Sequence, residues 1–169
     1  MTDAIRILGL DPGSNATGWG VVERRGARLS FVAAGVLRPP RQSGRAARLA
    51  VIFKGLQEVL DAHAPHEAAV EETFVNASPR DALVLGQARG VALLAPAQAG
   101  LAVAEYAANT VKKSVVGKGH ADKRQVQAMV RVLLPASGDQ AADAADALAV
   151  AICHAHHADM RSMMMEARA

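Results

Sequence analysis

From its first residues the chain sets out an apolar stretch, Ile5-Arg6-Ile7-Leu8-Gly9-Leu10, that stops at Asp11-Pro12-Gly13. Its length and the Pro-Gly stop predict a strand over residues 4–11. Residues 17–24 and 28–37 read as two further strands, with Arg25-Gly26 as a tight hairpin turn between them. Arg38-Pro39-Pro40 breaks the pattern. Leu49, Ile52, Phe53, Leu56, Val59 and Leu60 then keep helical spacing, which predicts a helix over residues 44–63 ended by Pro65. Ala68-Ala69-Val70 continues into a short buried strand that reaches Glu71. A second helix is expected over residues 81–98 and a fifth strand at Leu101-Ala102-Val103. Helices follow over residues 107–115, 121–134 and about 140–157, the last with Asp139 as a natural N-cap. Beyond Asp159 no period survives, and the tail with Met163-Met164-Met165 is expected to fray.

Three antiparallel strands followed by alternating helices and strands predict an α/β fold: a mixed five-stranded sheet with helices on both faces. No repeat or linker divides it, so residues 1–158 read as a single domain and 159–169 as a tail. A chain of 169 residues, 51% of them apolar, buries a core without staples. The single cysteine, Cys153, lies in an apolar helix pattern. A disulfide framework is therefore excluded, and a buried small hydrophobe in a reducing cytoplasm is expected. No apolar run is long enough to span a membrane, and the N-terminal strand lacks the layout of a signal peptide.

The net charge of +3 matters less than its distribution. Lys112, Lys113, Lys118, Lys123, Arg124 and Arg131 stand in a stretch whose only acids are Glu105 and Asp122. From Asp139 to Asp159 there are aspartates and no lysine or arginine. A basic flank beside an acidic centre suits an enzyme that holds metal ions and a polyanion together, although a solvated surface has the same charges.

Three groups of carboxylates stand out. Asp11 ends a buried strand, where α/β proteins place their chemistry, yet Asp-Pro-Gly is equally good turn chemistry. Glu71 and Glu72 follow another buried strand, and because neighbours in a strand face opposite ways only one of them can join Asp11. Asp143 and Asp146 share one face of an otherwise apolar helix. Two bare carboxylates about 4 Å apart would repel by roughly 4 kcal/mol at an effective dielectric of 20, a penalty that a divalent cation removes. An all-oxygen site drawn from separate segments favours Mg²⁺ or Mn²⁺ over zinc. His154, His156 and His157 have no cysteine pair to complete a zinc site and are expected to meet the dipole at the helix C-terminus.

The stretches LGLDPGSNATGWGVV, AVEETF, ALVLGQARGVAL, EYAANTVKKSVVGKGHADKRQVQAMV and AADAADALAVAICHAH, in this order, resemble the RuvC family of bacterial Holliday junction resolvases. The resemblance spans most of the chain from Ile5 to His157. It implies a ribonuclease H-like fold, a homodimer, and Mg²⁺-dependent paired nicking of four-way DNA junctions in recombination and repair. Two ions per site are implied, with Mn²⁺ able to substitute, and the products carry 5′-phosphates. Carried over motif by motif, Asp11, Glu71, Asp143 and Asp146 are the implied catalytic and metal-binding carboxylates. Phe74 matches an aromatic that contacts bases near the crossover, and Lys112 and Lys123 match basic residues that contact DNA. Lys113, Lys118 and Arg124 extend that patch by charge alone. A branch-migration motor is an implied partner.

Other readings share parts of this pattern. The first motif also looks like the phosphate loop of actin-like and sugar-kinase ATPases, but the second lobe and second glycine-rich segment are missing. A YqgF-type nuclease of the same fold and a catalytically idle junction-binding module are the remaining alternatives. Ala82, Gly86 and Gly90 form a small-residue stripe on one helix face, suited either to the chain's own sheet or to a second subunit.

Overall fold

The computed structural model describes residues 3–72 and 78–166, with residues 159–166 described by backbone alone. Strands β1 (Ile5–Asp11), β2 (Thr17–Arg25) and β3 (Arg28–Leu37) form an antiparallel meander. Helix α1 (Arg45–His63) leads to β4 (Glu67–Glu72), parallel to β1, and α2 (Pro79–Gln98) leads to β5 (Ala102–Ala107), parallel to β4. Helices α3 (Ala108–Val116) and α4 (Lys123–Leu133) follow, then a 3₁₀ turn at Pro135–Ser137 and α5 (Ala142–Glu166). The sheet order β3-β2-β1-β4-β5 puts β1 at the centre. This is the mixed five-stranded α/β sheet expected of a ribonuclease H-like fold.

Strand alternation divides the core into two layers. Leu8, Leu10, Val21, Ala68 and Val70 pack under α1 and α2, whereas Ile7, Val22 and Ala69 pack under α3, α4 and α5. The same parity decides which acidic residues meet. Asp11 continues the Ile7-Gly9 side and Glu71 continues the Ala69 side, so both emerge on the α5 face of the rim. Glu72 follows Ala68 and Val70 to the other face.

Helix α5 lies directly on the sheet because β1 and β2 present glycines to it. A Cβ at Gly9 would come 2.6 Å from the Ala151 nitrogen, and one at Gly20 would come 2.7 Å from Leu148 Cδ2. A Cβ at Gly18 would fall on the Asp143 carbonyl, with the carbonyl carbon only 2.5 Å away. Backbone approach of this kind is possible only without side chains on the strand.

Several local expectations change. The hairpin turn is Gly26-Ala27, one residue later than expected: Arg25 pairs with Arg28, and Gly26 adopts φ 58°. Helix α4 starts at Lys123 because Asp122 and Gln125 form a reciprocal capping box. Asp139 does not cap α5, which begins three residues later; it pairs instead with Arg131 at 2.6 Å. The final helix runs through the segment expected to fray and on to Glu166, as its alanines, methionines and glutamate, all strong helix formers, permit. His154, His156 and His157 consequently lie within the helix rather than at its C-terminal dipole. The Ala82/Gly86/Gly90 stripe does not pack on the chain's own sheet. The buried side of α2 is Ala88, Ala92 and Ala95, and nothing lies within 4 Å of a Cβ built at Gly86 or Gly90.

Candidate active site

At the rim where β1 and β4 end, Asp11, Glu71, Asp146, Lys112 and Lys123 line a cavity of about 260 Å³. Ala108, Val111, Val126 and Ala149 form its apolar floor. Each polar member comes from a different element: Asp11 and Glu71 from adjacent parallel strands, Asp146 from the first turns of α5, Lys112 from α3 and Lys123 from the start of α4. Asp143, one turn before Asp146, does not line the cavity. Its carboxylate lies 3.7 Å from the Arg38 guanidinium, at the end of β3.

The electrostatics of this cluster are set first by burial and then by crowding of like charge. Asp11 is pushed from its ordinary 3.8 up to about 8, first by burial and then by the charges of Glu71 and Asp146. Glu71 is also raised, first by burial, while a hydrogen bond with Asp11 and the nearby Lys112 and Lys123 pull the other way. Both shifts favour the neutral acid over the carboxylate. Lys123 donates to Asp146 Oδ2 at 3.1 Å, and Asp146 in turn raises the lysine's pKa. The two α5 carboxylates are compensated locally, Asp146 by Lys123 and Asp143 by Arg38.

This compensation has a geometric consequence. Among the described residues, no three His, Cys, Asp or Glu side chains converge as a ready-made metal cage. The donor set nevertheless fits hard divalent cations. It consists of carboxylate oxygens, partly buried, with an acid held protonated by its neighbours, and a cation displacing that proton removes the repulsion. Asp11, Glu71 and Asp146 are the carboxylates that could hold such an ion, while Asp143 stands beside Arg38 outside the cavity.

Among the basic residues, Lys112 and Lys123 enter the cavity, while Lys113, Lys118 and Arg124 are exposed outside it. Lys113 lines a neighbouring hollow with Ser114, His120, His156 and His157. Phe74 lies outside the described residues. Cys153 is fully buried, and burial pushes its thiol up to about 11, consistent with an inert hydrophobe.

Sequence reasoning missed two features. One is Arg38, which has no helical or strand period to mark it. The other is a buried polar chain in which the two ring nitrogens of His154 meet Tyr106 Oη at 2.9 Å and Glu67 Oε2 at 2.8 Å. Glu67 shares the strand face of Glu71, so β4 meets α5 twice: attractively at Glu67–His154 and repulsively at Glu71 and Asp146. Strand parity counted from Val70 was the available signal. Tyr106→Phe should lower stability by about 1–3 kcal/mol, because it leaves a buried ring nitrogen short of a partner. Urea unfolding of the two proteins measures this, and equal midpoints would show that the bond contributes nothing.

Comparison with known proteins gives a consistent result. The family model for crossover junction endodeoxyribonuclease RuvC matches residues 7–154. The chain is 62% identical over 153 residues to the crossover junction endodeoxyribonuclease RuvC of Azorhizobium caulinodans, covering 90% of each chain. It is 59% identical to that of Mesorhizobium japonicum, covering 93% of each. Its fold is similar to the solved structure of T. thermophilus RuvC in complex with Holliday junction substrate. That match has a TM-score of 0.85 and 35% identity, over 92% of this chain and 96% of the other.

Proposed function

Because the chain belongs to the RuvC family of crossover junction endodeoxyribonucleases, we propose that Asp11, Glu71, Asp143 and Asp146 form its catalytic, metal-binding site. The protein is a Holliday junction resolvase, a nuclease that acts on four-way DNA in recombination and repair. The observation that carries the site assignment is the convergence of Asp11, Glu71 and Asp146 on one cavity with Lys112 and Lys123, a cluster whose repulsion a divalent cation relieves. Mg²⁺ is the expected ion, two per site, with Mn²⁺ as substitute. Such a pair, when bound, activates water and stabilises the leaving 3′ oxygen, which yields 5′-phosphate ends.

The chain's own residues supply position and charge. The strand ends hold Asp11 and Glu71 on a rigid sheet, and the glycine-lined contact sets the height of Asp143 and Asp146 above it. Lys112 and Lys123 stand at the cavity wall to hold the scissile phosphate, Lys123 leaving Asp146 as the phosphate arrives. Lys113, Lys118 and Arg124 extend the DNA surface outward, and Phe74 is the candidate for stacking on a base at the crossover. The test is cleavage of a mobile synthetic four-way junction with each metal, mapped at nucleotide resolution. Symmetric nicks in opposed strands with 5′-phosphates are expected. Binding without nicking in either metal would favour an idle junction-binding module.

A symmetric junction calls for two sites related by a twofold axis, and the exposed side of α2 is the face proposed to pair there. Leu83 and Leu94 are 66% and 56% exposed on this helix, beside the small residues Ala82, Gly86 and Gly90. Gly86→Leu should weaken homodimerisation at least tenfold, about 1.4 kcal/mol. Sedimentation velocity at micromolar concentration reads this, and an unchanged dimer would move the interface elsewhere. No helix among the described residues is long and apolar enough to cross a membrane. A cytoplasmic location and a branch-migration motor as partner fit the family.

A further inference from the structure

The lysines account for one wall of the site, and they come from α3 and α4 on one face of the sheet. The opposite side of the rim is also basic. Between the end of β3 and the first turn of α1 stand Arg38, Arg41, Arg45 and Arg48, with no acidic residue anywhere in that stretch. Two of them touch the site's own framework. Arg38 faces Asp143, and Arg48 donates to the Ser14 carbonyl at 2.8 Å and lies 3.2 Å from Asn15 Oδ1, in the loop that follows Asp11. The other two point outward. Arg41 is exposed, Arg45 reaches only the neutral Gln87 side chain at 3.4 Å, and neither pairs with a carboxylate among the described residues.

This placement is unfavourable for folding alone. Arg45 and Arg48 occupy the first turn of a helix that has no acidic residue there and no side-chain cap, so their charges oppose the helix dipole. Four neighbouring arginines also repel one another. The adjoining hollow contains a single carboxylate, Asp81, and its oxygen already accepts from Ser78 at 2.7 Å. An external polyanion would relieve this concentration of positive charge.

We propose that Arg38, Arg41, Arg45 and Arg48 form a second phosphate-binding flank that grips the DNA strands at the crossover. The proposal rests on the resolvase reading and adds the contact that reading leaves unassigned. Guanidinium groups suit the task because their planar donors pair bidentately with phosphate oxygens. The location selects the crossover rather than the distal arms. Gln87, the partner of Arg45, belongs to the exposed side of α2 together with Leu83 and Gly86. If α2 pairs about a twofold axis, the two arginine clusters come together between the two sites, where four strands converge and phosphate density is highest.

The double variant Arg41→Ala/Arg45→Ala tests this in the full chain, with thermal melting and sedimentation used to establish that fold and assembly match the wild type. Binding to a four-way junction and to a linear duplex is measured across a salt series in Ca²⁺. The expected result is a junction slope of log affinity against log salt reduced by about 1.8, from two lost phosphate contacts. Duplex binding should change far less, so that junction selectivity narrows at least tenfold. Arg41→Lys/Arg45→Lys should restore most of the slope. An unchanged junction slope would overturn the proposal, and an equal loss on junction and duplex would overturn the crossover assignment. A wild type that fails to bind or nick junctions would instead refute the resolvase reading, a result distinguishable from both.

Discussion

Asp11→Asn is expected to abolish junction cleavage while making the metal-free protein more stable. The loss should exceed about a thousandfold in single-turnover rate at saturating Mg²⁺, equivalent to roughly 4 kcal/mol of transition-state stabilisation. Its cause is local: Asp11 is a buried carboxylate that lines one cavity with Glu71 and Asp146, and burial and then their charges raise its pKa. The stability gain follows from the same burial and crowding. The folded protein holds a proton on Asp11 up to about pH 8, whereas the unfolded chain releases it near its ordinary 3.8. The folded state therefore binds more protons in that window, and the wild type in EDTA loses stability as pH rises through it. Asparagine cannot ionise, so the variant's melting temperature should fall less between pH 4 and pH 8, and Mg²⁺ should raise the wild type's melting temperature more than the variant's. Wild-type cutting by the variant would remove Asp11 from the site. Parallel pH profiles in EDTA would remove the charge-crowding account.

Gly18→Ala should damage both fold and cleavage, although position 18 carries no chemistry. The added methyl would land on the Asp143 carbonyl, and backbone cannot rotate aside as a flexible side chain does. Helix α5 must lift from β2 or β2 must bend away, and overpacking of this kind costs about 1–3 kcal/mol or more. Because the clash lies at the turn that bears Asp143 and just before Asp146, displacement of the carboxylates accompanies the loss of stability. Cleavage measured well below the variant's melting temperature should fall at least a hundredfold. A variant that melts as the wild type does and cuts at the wild-type rate would mean that the glycine contact does not set the height of α5.

The sheet and its helices were legible in sequence because each is written in a local period. Ile5 to Leu10 is too short and too apolar to be anything but a buried strand. Leu49 to Leu60 keeps a helical stripe, and Asp143 and Asp146 share a helix face whatever surrounds them. The family's motifs added what no period carries, namely the assignment of Glu71 rather than Glu72 and the resolvase activity itself. Once the strands are in register, parity gives the same choice between the two glutamates independently, because Glu71 lies on the Ala69 side and faces α5.

Local signals also misplaced several details. Asp139 has good capping chemistry, but Arg131 from α4 takes its carboxylate, and α5 starts further on. The three histidines resembled a helix end because the apolar period stops near them, yet the backbone continues to Glu166 and His154 is bound between Glu67 and Tyr106. The small-residue stripe of α2 allowed two partners by spacing alone, and only the fold shows that this side of the helix is turned away from the sheet.

The sequence by itself determined the elements, their order, and the residue types of the site, since hydrophobic period, turn chemistry and carboxylate spacing act over a few residues. Only the tertiary structure decided how charge is balanced at the rim. It set Asp11 beside Glu71, and joined Asp146 to Lys123 and Asp143 to Arg38 from the far end of β3. It also showed that Gly9, Gly18 and Gly20 are the seat of α5. These relations link residues up to about 140 positions apart, and Coulomb attraction and steric exclusion act through space, so no pattern along the chain records them.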